Sequence, residues 1–405
     1  MAIEQSRRPH VYEIDPLRAF TALSVVGVHV LTNTAFLNQN ELGVQIQYAL
    51  AVALHYTREV FIFITAFALA YVYFGRTFSL KQFWLKRGLG VVFPYVIWSL
   101  IYVWANHPGI SWGAFLHDSL IDIPTGQASY QLYYVLLSIE FYMLLPVFLL
   151  FLRYCRNHPW IVLSISGILQ LALFYVDFHL LQAPKVQLHG FWYFVAKYQD
   201  SFILVYQFYF ILGGYVALYF QQVRSFLLRH GKPIAGAFLL VVIAVLVHNT
   251  VQVDVYHEEI GYAQSVLQPM MVFYSVAFVL FVLWLSSRWA NKLNQEHPPK
   301  SYYIWHILAD ASFGIYLIHV LILNELMKYL VLALPKTWFV AIRVLIMYIL
   351  TAGGATVISV ILLHIPIASR LVGRAERRLD FPFVHKLKKY YAFCRNIVTR
   401  SLNTP

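Results

Sequence analysis

Long apolar stretches, each closed by a short polar segment, follow one another along almost the whole chain. They run at 14–35, 46–73, 88–105, 131–152, 160–177, 201–220, 234–250, 265–285, 303–324 and 338–364. A helical stretch of roughly 20 apolar residues, rising 1.5 Å per residue, matches a hydrocarbon core about 30 Å thick. The pattern predicts an all-α fold, a polytopic transmembrane helical bundle of about ten spans. A transmembrane barrel would need segments of about ten residues with alternating polarity, and 234–247 does not alternate.

Composition agrees with the pattern. Hydrophobic residues make up 60% of the 405 and charged residues only 12%, about half the ~25% usual in soluble domains. The net charge of +12 would suggest nucleic acid in a soluble protein, but here its placement explains it and no nucleic-acid partner is implied. With the N-terminus in the cytosol, 24 lysines and arginines fall on the inner side and 4 in the outer loops. That bias predicts both termini inside. The outer loops carry acids and histidines instead, and are too short for an extracellular domain. Residues 1–364 read as one ten-span domain. Residues 365–405 read as a basic cytosolic tail lying on anionic lipid. The two cysteines, Cys155 and Cys394, both fall on the inner side, so no disulfide framework is expected. The first apolar run is too long for a cleavable signal and carries Arg18 and His29.

Ionisable residues at membrane depth are costly, at least about 2.5–3.5 kcal/mol each on insertion scales, and so carry the information. Arg18 and His29 are eleven residues apart. At about 100° per residue they end up roughly 20° from one face, separated by a rise of about 16 Å. His29 therefore lies near mid-membrane and Arg18 near the inner surface, with Asp15 placed to pair with Arg18. Histidine exchanges protons near neutral pH, which suits it to a general base. Arg58 and Glu59 lie in the second span and invite either a mutual or an interhelical ion pair. Glu140 in the fourth span is placed either to orient His29 or to make a buried hydrogen bond. His319, toward the outer end of the ninth span, reads as structural. Gly213-Gly214 and Gly353-Gly354 read as close helix contacts. No phosphate-binding glycine loop, nucleophile elbow or zinc-spaced histidine pair occurs, so no metal site is expected.

The opening Asp15-Pro16-Leu17-Arg18-Ala19-Phe20, continuing to Val26-Gly27-Val28-His29, resembles that of the acyltransferase-3 family of membrane acyltransferases. Further stretches agree in order: Glu59 to Phe67, Lys86-Arg87 leading to Phe93-Pro94-Tyr95, Glu140-Phe141-Tyr142 with Leu145-Pro146, and Ser312 to His319. Ile365-Pro366 with Ala368-Ser369-Arg370 is similar to the usual ending. Two positions depart from the family's pattern. Thr65-Ala66 stands for a Ser-Gly pair, and Gly90 for a second arginine in the basic patch.

The resemblance implies a multi-pass enzyme of the bacterial cell membrane that takes an acyl group, expected to be acetyl, from cytosolic acetyl-CoA. It implies delivery to a sugar hydroxyl of a glycan or lipid-linked sugar, with acetyl-CoA as a substrate and no tightly bound cofactor. His29, Arg18 and Glu140 are the catalytic candidates, and Lys86, Arg87 and Arg58 the donor-binding ones. A continuous cavity is expected along the Arg18–His29 face, with Arg58 and Glu140 in its wall. The alternative reading is an exporter of a polysaccharide or its lipid-linked precursor, using the same polar residues as a route.

Overall fold

Capping residues and prolines set where the helices start. The Asn40 side chain accepts a hydrogen bond from the Gly43 N–H at 2.7 Å, and Ser79 and Ser111 cap the helices that follow them. Proline occupies the first turn of the helices Phe93–Asn106, Pro159–Val176 and Pro269–Ala290, where its missing N–H costs nothing. The computed structural model describes residues 8–374 apart from Phe78, Lys185 and 294–298. Among the described residues there are helices and no strands.

Nine of these helices are long and apolar enough to cross a membrane. The pair Gly190–Ser201 and Ile203–Leu218, bent by 52° at their junction, is long and apolar enough when taken together to be a tenth. Counting that pair as the sixth, the spans fall where the hydrophobic pattern puts them, with two differences of detail. The second span is Glu41–Tyr73, broken by a turn between Val52 and Thr57. The third is Leu80–Asn106, so Lys86 and Arg87 ride on helix rather than loop. Directly after them Gly88–Val92 widens into a π turn, a local irregularity common at functional sites.

The spans pack as two lobes. Phe63, Phe67, Phe141, Phe210 and Tyr274 centre one, on the second, fourth, sixth and eighth spans. Val26, Tyr102, Ile315, Leu317 and Met347 centre the other, on the first, third, ninth and tenth. Lipid is as apolar as leucine, so packing and hydrogen bonds between helices hold such lobes together rather than exclusion from water. Gly213 shows how. A Cβ there would meet Ala66 at 2.9 Å and the Phe67 N at 3.1 Å. The small residue that lets these two helices approach is thus on the sixth span, which accommodates Thr65-Ala66 on the second. Gly214 lies equally close to Phe148 and Leu152, whereas Gly353 meets nothing within 4 Å and is no helix contact.

Residues 365–374, read in the sequence as the start of the tail, turn back onto the bundle. Val372 is fully buried, and the Trp98 indole N–H donates to the Leu371 carbonyl at 2.9 Å. The remaining tail, including Cys394 and the basic residues from Arg377 onward, lies outside the described residues.

Candidate active site

The seam between the lobes opens at one end of the bundle as a cavity of about 910 Å³. Arg18 at the start of the first span, Lys86 and Arg87 at the start of the third, and Arg370 and Arg374 after the tenth all line it. Among the described residues Asp310 is the one carboxylate in its wall. Arg87 is held by the faces of Tyr142 and Phe83, its carbon 4.8 and 5.6 Å from their ring centres, an arrangement worth roughly 0.5–2 kcal/mol. Its Nε is buried without a hydrogen-bond partner. Among the described residues Arg18 makes no ion pair. Asp15, expected as its partner, instead accepts from His10 at 2.8 Å and His306 at 3.2 Å. The ligand-type atoms of His10, Asp15 and His306 all lie within 4.8 Å of one another, and these hydrogen bonds account for their convergence. A recess lined by several cations is suited to a polyanion.

Three aromatic rings in the wall of this cavity pack together as a floor. Phe61, Tyr134 and Tyr316 lie 5.7–6.0 Å apart, centre to centre, and all three line the cavity. The Tyr316 hydroxyl donates to the Gln131 carbonyl, which fixes its ring. Tyr316 also touches His319, their ring centres 6.0 Å apart. The His29 ring stacks on His319 at 5.3 Å and lies tilted against Tyr130 at 4.7 Å, so it faces protein rather than lipid. His319 is fully buried, and its Nδ1 approaches the carbonyls of Ile315 and Tyr316 at 3.1 and 2.8 Å. A carbonyl only accepts, so Nδ1 carries the proton and Nε2 presents a lone pair. That Nε2 has no hydrogen-bond partner.

The sequence candidates therefore divide into two groups. Arg18, Lys86 and Arg87 share the cavity, while His29, Arg58 and Glu140 do not line it. The lining runs from Arg18 to Phe61, Tyr134 and Tyr316 and does not include His29, although Arg18 and His29 do share a helix face. Arg58 belongs to the His29 side of that floor. It donates to Asp200 and to the Tyr206 hydroxyl, each at 2.7 Å, and lies over the Tyr133 ring. The interhelical pair foreseen for Arg58 is thus with Asp200, and Glu59 is left fully buried. Glu140 accepts from the Ile203 N–H at 3.3 Å. It stands two residues, about 200°, from both Ser138 and Tyr142, which line the cavity, and so faces the other way. No hydrogen bond joins it to His29 among the described residues.

Sequence reasoning passed over Tyr316 as a wall and His319 as a neighbour of His29. The signal was there: the two are three residues apart inside one motif, hence on one helix face.

A family model described as an acyltransferase domain matches residues 11–364. The chain belongs to the acyltransferase-3 family. No curated protein and no solved structure matches it. The matched span contains every transmembrane helix, both lobes, the aromatic floor and the histidine pair. This is a multi-pass membrane acyltransferase, and Tyr316 touches both its cationic cavity and its histidine pair.

Proposed function

We propose that this acyltransferase moves an acetyl group from acetyl-CoA, bound in the cationic cavity, to a sugar hydroxyl presented on the His29 side. One observation carries the reading: a recess rich in arginine includes Tyr316 in its wall, and Tyr316 touches the buried His319 that stacks on the half-buried His29. The charge bias of the loops supports placing that recess in the cytosol, where acetyl-CoA is made. Nucleotide phosphates would pair with Arg18, Lys86 and Arg87, leaving the thin pantetheine arm to run inward. The rise of about 16 Å from Arg18 to His29 is about the length such an arm spans when extended.

The acceptor hydroxyl attacks the thioester carbonyl and a new ester C–O bond forms. The C–S bond breaks, and the coenzyme leaves as a thiolate. His29 takes the hydroxyl proton and returns it to the sulfur. In the two-step form His29 first accepts the acetyl group itself and passes it on. His319, with Nδ1 bonded to carbonyls, holds the ring of His29 from behind. To reach His29 the thioester has to pass the Tyr316, Tyr134 and Phe61 rings, and we assign the passage to a gating motion of the kind that completes many active sites. Membership of an acyltransferase family weighs against the exporter reading.

Two experiments test the proposal. Purified protein given acetyl-CoA and envelope glycan should release coenzyme thiol, and His29→Ala protein should not. Mass spectrometry of surface glycans with and without the gene should reveal acetyl groups that depend on it. Glycans identical in both, together with no thiol release, would refute the reading.

A further inference from the structure

The cavity draws two of its arginines from outside the ten spans. After the last helix the chain makes a short turn, Ala368–Val372, and ends its described course at Gly373 and Arg374. The turn is fixed by packing as well as by the Trp98 bond. Gly373 has φ +74°, and a Cβ there would meet the Phe313 ring at 2.6 Å and the Gly90 carbonyl at 2.5 Å. Only glycine fits both the backbone conformation and the space. The turn is thereby pressed against the π turn that follows Lys86 and Arg87, and Arg374 is delivered beside them.

Asp310 then aims the side chain. Its Oδ1 lies 3.1 Å from Arg374, while its Oδ2 lies 4.0 Å from His306, which in turn bonds Asp15. Arg374 thus lies at the end of an ordered chain of polar groups rather than as a loose surface cation. It lines the cavity and, with Arg87, is close enough to Arg18 to repel it. Among the described residues the wall carries five basic side chains and one carboxylate. A nucleotide diphosphate bearing a further phosphomonoester carries about four negative charges at neutral pH.

We infer that the turn after the last span is part of the donor site, and that Arg374, aimed by Asp310, is a direct ligand of a donor phosphate. This rests on the reading of the cavity as the acetyl-CoA site. The phosphate relieves the repulsion among Arg18, Arg87 and Arg374, and a guanidinium offers it a planar fork that a lysine lacks. The tenth span and the residues beyond it thereby join donor binding, although they lie at the opposite end of the sequence from Arg18.

The test measures the dissociation constant of coenzyme A for full-length protein in detergent, as wild type, Arg374→Ala and Arg374→Gln. Glutamine can still bond Asp310 but brings no charge, so it serves if the alanine protein does not fold. Either variant should melt like wild type and bind coenzyme A roughly tenfold or more weakly, the scale of one charge-assisted hydrogen bond. A folded variant that binds within about threefold of wild type overturns the role of Arg374 and leaves the donor cavity standing. Wild-type protein that binds no coenzyme A removes both the donor cavity and this inference.

Discussion

The rings of His29 and His319 lie 5.3 Å apart and within 21° of parallel. They come from the first and ninth spans, helices far apart in sequence that meet in one lobe. The stacked partner is pinned through Nδ1 to two carbonyls of its own helix. His29 thus has a fixed face behind it, Tyr130 beside it, and the ring floor between it and the cationic cavity.

His29→Ala should fold in detergent and lose acetyl transfer by roughly 10²–10⁴-fold, the usual cost of removing a general base. Turnover above about a tenth of wild type would end its catalytic role.

His319→Ala removes the ring that orients His29 without touching the donor cavity. It should lower kcat roughly 10²-fold, as small misplacements of a reacting group do, and leave the acetyl-CoA KM unchanged. A raised donor KM with normal kcat would place His319 in donor binding instead.

Arg87→Ala should raise the acetyl-CoA KM more than it lowers kcat, because a contact remote from the reacting bond binds ground and transition states alike. Arg58→Ala should spare the donor KM, since Arg58 bonds Asp200 and Tyr206 beyond the floor. An unchanged donor KM in the first and a raised one in the second would exchange their assignments.

Gly314→Val should destabilise the protein. A Cβ at 314 would lie 2.6 Å from the Ser359 Oγ and 2.7 Å from Val372, and overpacking of this kind typically costs about 1–3 kcal/mol. The expected result is a lower melting temperature with weaker coenzyme A binding, because Val372 leads directly to Arg374. A variant that melts and binds like wild type would show that this contact is not needed.

The spans were legible because the bilayer imposes one length and one polarity on every crossing, and the Arg18–His29 face followed from helical geometry alone. Partnerships between helices were less so. Asp15 sits one turn from Arg18 yet bonds His10 and His306, because the ninth span brings in a competing partner that sequence spacing does not contain. Arg58 looked like a donor ligand by its charge. Its depth relative to Phe61, and the arrival of Asp200 from the bent sixth span, set it on the other side. Lys86 and Arg87 line one cavity, but the return of Arg374 to it depends on a turn at Gly373 that no periodic pattern announces.

The central claim is that an acetyl group enters through the cationic cavity and leaves on the His29 side. Protein inserted in one orientation in sealed vesicles, with envelope glycan trapped inside and acetyl-labelled acetyl-CoA outside, tests it directly. With the Arg18 cavity facing outward, label should appear on the enclosed glycan, and should be missing with His29→Ala. Label found only on glycan added to the same side as acetyl-CoA would contradict transfer across the membrane.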